Sequence, residues 1–184
     1  LGVLGLVLDF RLAFWVTLGI PISFFGSLIL FPAADASINM VSMMAFIITL
    51  GMVVDDAIVV GENVFSSRQS NSDPYIASID GTREVSVPVV FSILTSVSAF
   101  APLFFVTGVM GKILWSVPFV VVSVLLLSLV ESLFILPAHL AHTSIEPTNP
   151  ILKKIQFIPK TVNRALDNFI ENPFQRFLRL AVRN

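Results

Sequence analysis

The sequence predicts an all-α fold: a polytopic membrane helix bundle with four full spans, the end of a fifth before them, and an amphipathic surface helix after them. Three observations carry this. The 184 residues are 55% hydrophobic and only 12% charged, with a mean hydropathy of +0.91, which is too apolar for a water-soluble domain. The apolar residues gather into blocks near the length a helix needs to cross a hydrocarbon core about 30 Å thick. The charges fall almost entirely between those blocks. The chain opens inside a hydrophobic run at Leu1 and closes at Asn184 after an amphipathic stretch, so it is expected to be a piece of a larger membrane protein.

Residues 1–8 are an apolar octet, too short to span and expected to end a helix begun upstream. Asp9, Phe10 and Arg11 form a polar turn. Residues 12–31 supply the first full span, with Pro21 predicted to kink it where neighbouring helices can re-satisfy the freed carbonyl. A short loop follows, in which Asp35 or Ser37 is the expected N-cap of the next helix. That second span covers residues 40–64. Residues 66–84 hold Arg68, Asp73, Asp80, Arg83 and Glu84 and are expected to be the one long polar loop. Asp73-Pro74 inside it is a helix-start signal, so a short surface helix over 74–83 is predicted. Residues 85–106 make the third span. On it Ser92, Thr95, Ser96 and Ala99 lie at i, i+3, i+4 and i+7, a small and polar stripe of the sort along which membrane helices approach. A loop over 107–112 leads to the fourth span at 113–136, which Pro137 is expected to close.

Charge placement sets the orientation. With alternating spans, ten of the eleven basic residues fall on one side (Arg11, Arg68, Arg83 and all of those after residue 139), leaving Lys112 alone on the other. The positive-inside rule then places the 65–84 loop and the tail from 139 to 184 in the cytoplasm, and the 33–39 and 107–112 loops outside. Residues 1–142 thus form the helix bundle and 143–184 a cytoplasmic linker and interfacial helix. In that tail Val162, Leu166, Phe169, Ile170, Phe174 and Phe177 recur at helical spacing, interleaved with Lys160, Arg164, Arg176 and Arg179. This is the pattern of a helix lying in the membrane interface, with membrane lipid as partner.

The second span carries the chemistry. Asp55 and Asp56 sit in the middle of it, although each ionised Asp at the centre of a spanning helix costs roughly 2.5–3.5 kcal/mol. A helix that only had to span would not hold them, and acids at this depth point to an ion or proton pathway. Adjacent helical residues point about 100° apart, so the two carboxylates are expected to address different neighbours. Gly51, Ala57 and Gly61 leave room for those neighbours to approach. Glu131, flanked by Ser128 and Ser132, is a third acid at membrane depth, expected either to be structural or to modulate a proton pathway. His139 and His142 lack a third ligand of metal-site spacing, so no metal is expected. The absence of cysteine excludes disulfides and thiolate sites. No filter-like loop or repeated acidic ring suggests a channel, and neither an enzymatic activity nor a nucleic-acid partner is expected.

The motif GMVVDDAIVVGENV over residues 51–64 closely resembles the fourth transmembrane helix of the resistance–nodulation–division (RND) transporters, in the hydrophobe/amphiphile (multidrug) efflux branch. Ser37-Ile38-Asn39 before it, and Leu136-Pro137-Ala138 at the end of the last span, are similar to the same family. The resemblance implies the end of helix two, helices three to six and the surface helix before helix seven. It further implies a proton-driven antiporter in the bacterial inner membrane, a homotrimer working with a periplasmic adaptor and an outer-membrane channel. Asp55 and Asp56 match the family's proton-relay acids; their lysine partner belongs to the second half of such transporters. No cofactor besides the coupling proton is implied. Gly61 stands where many relatives have Val, which loosens packing without touching the acids. Metal-efflux relatives typically keep one of the two acids, so the pair disfavours that branch. It likewise disfavours a non-transporting membrane module.

Overall fold

A computed structural model of the chain describes residues 10–71 and 73–142; the expected helix end at 1–8 and the amphipathic tail at 143–184 lie outside them. All secondary structure among the described residues is helical, and four stretches are long and apolar enough to cross a membrane: Leu12–Ile29, Met40–Ser70, Pro74–Phe105 and Gly108–His142. From Trp15 onward the described residues belong to one compact unit.

Helix α1 (Phe10–Ile29) continues through Pro21 and ends in a 3-10 turn at Pro32–Ala34, whose C-cap Asp35 takes φ 49°. Helix α2 (Met40–Ser70) is capped by Asn39 rather than by Asp35 or Ser37. The Asn39 side chain accepts from the main-chain N–H of Val41 and Ser42, while the Ser42 hydroxyl accepts from the Asn39 N–H at 2.8 Å. Asn39 stands immediately before the first helical residue, the place from which a short side chain reaches the orphan donors of N2 and N3.

Two further expectations are corrected here. The long polar loop does not exist as such: α2 runs six residues beyond 64, and α3 (Pro74–Phe100) starts at Asp73-Pro74 and continues straight into the third span. The cause is local. Asp73 accepts from the N–H of Tyr75 and Ile76, Pro74 suits the first helical position, and no breaker follows that would separate a surface helix from the span. Only residues 71–73 remain between α2 and α3. The 107–112 loop is also mostly helix. After a 3-10 turn at Ala101–Phe105, α4 (Gly108–Leu114) leads into α5 (Ser116–Val130).

Pro137 does not close the last span. A π-helical turn at Glu131–Ile135 joins α5 to α6 (Leu136–His142), and the Leu136 N–H reaches back five residues to the Glu131 carbonyl. Proline brings no N–H and its ring crowds the carbonyl one turn earlier. A register widened just before it relieves that crowding, and the helix carries on.

α2 packs against α3, α5 and α6. It meets α3 at Gly81, where a Cβ would stand 2.8 Å from the Val64 Cα and 3.0 Å from the Asn63 carbonyl oxygen. Asn63 Nδ2 fastens this crossing, donating to the Gly81 carbonyl at 2.6 Å and to Glu84 Oε2 at 3.2 Å. α1 runs antiparallel to α5 and α6. Trp15 stacks on His139 at 4.0 Å, Gly26 faces Leu127, and Phe31 meets Phe119 edge-on at 5.5 Å. Aromatic rings thus mark both ends of the spans: Phe31, Phe46, Trp115 and Phe119 at one, Trp15, Tyr75 and the two histidines at the other. Such belts sit at membrane–water boundaries.

Candidate proton-coupling site

Asp55 and Asp56 lie midway along α2 and differ in surroundings. Asp56 is buried, 8% exposed, and its carboxyl faces Ser92 of α3. Asp55 is exposed among the described residues. The 100° between neighbouring positions turns one acid into the α2–α3 seam and leaves the other on the open face of the helix. The small residues behave unequally. Ala57 and Gly61 are buried in the seam, whereas nothing stands within 4 Å of a Cβ built at Gly51.

The polar stripe on α3 also divides. Ser92 faces Asp56, but Ser92, Thr95 and Ala99 are exposed, and Thr95 returns its hydroxyl to the Phe91 carbonyl at 2.7 Å. Among the described residues the stripe and Asp55 are therefore both uncovered, and only 11% of the hydrophobic window of the third span is buried.

Glu131 occupies a different place. It is 4% exposed, and its carboxyl lies against Gly19 of α1, where an added Cβ would come within 2.5 Å of the carboxyl carbon and both oxygens. Because α6 continues to His142, Glu131 lies about 16 Å from that helix end at 1.5 Å per residue, deeper than a span closing at Pro137 implied. Sequence reasoning missed Gly19 as its partner. The available signal was the small-residue spacing Gly19, Ser23, Ser27 along α1.

Arg68, expected in a loop, is a buried residue of α2 that donates from its guanidinium to the Leu140 carbonyl. His139 and His142 are engaged by rings: His139 stacks on Trp15, and His142 meets Tyr75 edge-on while its Nδ1 lies 2.8 Å from the Ala138 carbonyl. Among the described residues no three His, Asp or Glu side chains gather to hold a metal.

Comparison with known proteins decides the family. The family model described as AcrB/AcrD/AcrF matches residues 3–184. The chain belongs to this family of RND efflux transporters. It is 30% identical over 145 residues to the multidrug resistance protein MdtC of Photorhabdus laumondii, covering 79% of this chain and 14% of that protein. It is 35% identical over 118 residues to MdtC of Escherichia coli, 64% of this chain and 12% of the relative. An uncharacterized transporter of Haemophilus influenzae is 37% identical over 105 residues, 57% of this chain and 10% of the relative. The chain thus spans between a tenth and a seventh of the length of these relatives, and four membrane-crossing helices of an RND efflux transporter lie within it.

Proposed function

We propose that this chain is the proton-handling part of a multidrug-efflux antiporter, with Asp55 and Asp56 as the coupling acids. One observation carries the reading: two adjacent carboxylates at mid-membrane, one buried facing Ser92 and one on an open face among the described residues. An acid on a face that the described helices leave uncovered calls for a cation from another element, since an unpaired charge at this depth is costly. RND relatives carry a lysine in their second half that fits that need. Proton arrival at the pair cancels its attraction to the cation, and proton departure restores it. Two packings of the surrounding helices are thereby tied to the proton gradient.

The export of drugs or amphiphilic compounds is supported by the multidrug resistance names of the relatives. The rest is in keeping with the RND family: a homotrimer in the bacterial inner membrane, engaged with a periplasmic adaptor and an outer-membrane channel. The side bearing the 71–73 connection and the tail from 139 to 184 is cytoplasmic in this reading, because ten of the eleven basic residues fall there. Glu131 acts as a modulator rather than as a member of the pair, and the proton is the only coupling ion.

The cellular test is drug accumulation in an efflux-deficient bacterium expressing the full-length transporter. Asp55→Asn and Asp56→Asn are each expected to raise accumulation to the level of the empty strain at undiminished membrane abundance. Full efflux by both variants would overturn the reading.

A further inference from the structure

A second polar centre is built into this bundle, away from the aspartate pair. On α5 and the π turn, Ser128, Glu131 and Ser132 lie at i, i+3 and i+4 and so share one face. Across from them on α1, Gly19 and Ser23 also share a face, and the close approach of Glu131 to Gly19 joins the two surfaces. Ser23 is 1% exposed, Ser128 and Ser132 0%, and none of these three hydroxyls has a hydrogen-bond partner.

Several other buried hydroxyls return to their own helix: Thr49 to the Ala45 carbonyl at 2.7 Å, Ser27 to Phe24 at 2.7 Å, Ser123 to Phe119 at 2.7 Å. On α1, Thr17 Oγ1 is likewise buried without a partner, two residues before Gly19. Buried polar groups left without partners are rare and costly. Two of the three serines flank Glu131 on its own helix face, where the helix register widens, and the third lies one turn from Gly19, against which the carboxyl packs. π-helical turns of this sort often occur at functional sites.

We propose that Glu131, with the hydroxyls of Ser23, Ser128 and Ser132, forms a second proton-binding site, closed by Gly19 and separate from the Asp55–Asp56 pair. In one state of the transporter the carboxylate takes a proton from hydronium reaching the chamber through water, forming one O–H bond, with the serine hydroxyls as hydrogen-bond partners. In the other state it returns that proton to water. Hydroxyls suit both states, because each donates to a carboxylate and accepts from a carboxylic acid.

The charged groups around the site leave it largely to itself. Among residues with described side chains, α1 contributes no titratable group. On α2, Asp56 faces Ser92 of α3 and Arg68 donates to the Leu140 carbonyl, which lies nine residues along the helix from Glu131, or about 13 Å. Asp55, Glu62, Asp80, Arg83 and Glu84 are exposed. On α6, His139 stacks on Trp15 and His142 meets Tyr75 edge-on.

The test is difference infrared spectroscopy of the full-length transporter in lipid, titrated from acid to alkaline pH. It is run in an Asp55→Asn/Asp56→Asn background, so that its outcome does not depend on the coupling role of that pair. A carboxylic-acid C=O band that grows on acidification and is lost in Glu131→Gln is expected. Ser23→Ala and Ser128→Ala should each shift that band, since each removes a hydroxyl that the proposal makes a partner of the protonated acid. A titrating spectrum identical with and without Glu131→Gln would overturn the proposal. So would a Glu131 band that neither serine variant moves, because the carboxyl would then lie outside the chamber. Glu131→Asp, which keeps the acid, covers the case in which the Gln variant does not fold: its shorter arm should keep a band at a shifted frequency.

Discussion

Asp55 and Asp56 have the same side chain and sit one residue apart, yet one helical step separates a buried acid from an exposed one. The sequence made the divergence legible, because 100° per residue forbids a shared partner. It did not say which acid turns inward; that depends on Ser92, which lies 36 positions away and meets Asp56 only when α2 and α3 pack. Ser92→Ala removes the hydroxyl that faces Asp56 while leaving its carboxyl in place. We expect transport to fall several-fold rather than vanish, equivalent to about 1 kcal/mol for one polar contact. Initial efflux rates of the full-length variant, normalised to protein in the membrane, check this. An unchanged rate would show that Ser92 does not tune the acid.

At the scale of elements, helix identity was legible and helix ends were not. Four spans follow from apolar block length alone, and Asp73-Pro74 correctly marks a helix start. The polar residues of 66–84 resemble a loop in composition, but α2 and α3 both project past the apolar core, where polar residues cost a helix nothing. Their crossing is then fixed by Gly81, which no hydropathy pattern reveals. Gly81→Ala would press a methyl against the Val64 main chain, and backbone cannot rotate away as a side chain can. The helices must separate, costing about 1–3 kcal/mol as overpacking does. A lowered thermal unfolding temperature of the detergent-solubilised transporter is expected. Gly19→Ala should lower it less, since it meets only the movable end of Glu131. An equal or larger loss at Gly19 would contradict this ranking.

At the scale of the whole molecule, the family was legible in one motif, whereas the Glu131 chamber was not. The motif lies on one helix and is contiguous; the chamber joins residues of α1 to residues more than a hundred positions later, through a π turn without a sequence signature. The orientation rests on charge asymmetry and can be measured directly. The chain has no cysteine, so single cysteines at Asn71 and Thr107 give unambiguous labels, once any cysteine elsewhere in the full-length protein is replaced. A membrane-impermeant maleimide applied to intact spheroplasts should label Thr107→Cys and spare Asn71→Cys until the membrane is opened. The reverse pattern would invert the topology.

Proton coupling through Asp55 and Asp56 is tested most directly in proteoliposomes containing the full-length transporter, with substrate efflux driven by an imposed proton gradient. Asn is nearly isosteric with Asp and cheaper to bury than a carboxylate, so each single Asn variant should reconstitute normally and still bind substrate. Because the two acids face different surroundings, neither can stand in for the other. Gradient-dependent efflux is expected to fall to the leak of empty liposomes in Asp55→Asn and in Asp56→Asn alike. Efflux that keeps its full dependence on the gradient in either variant would remove that residue from the coupling, and in both would contradict the assignment.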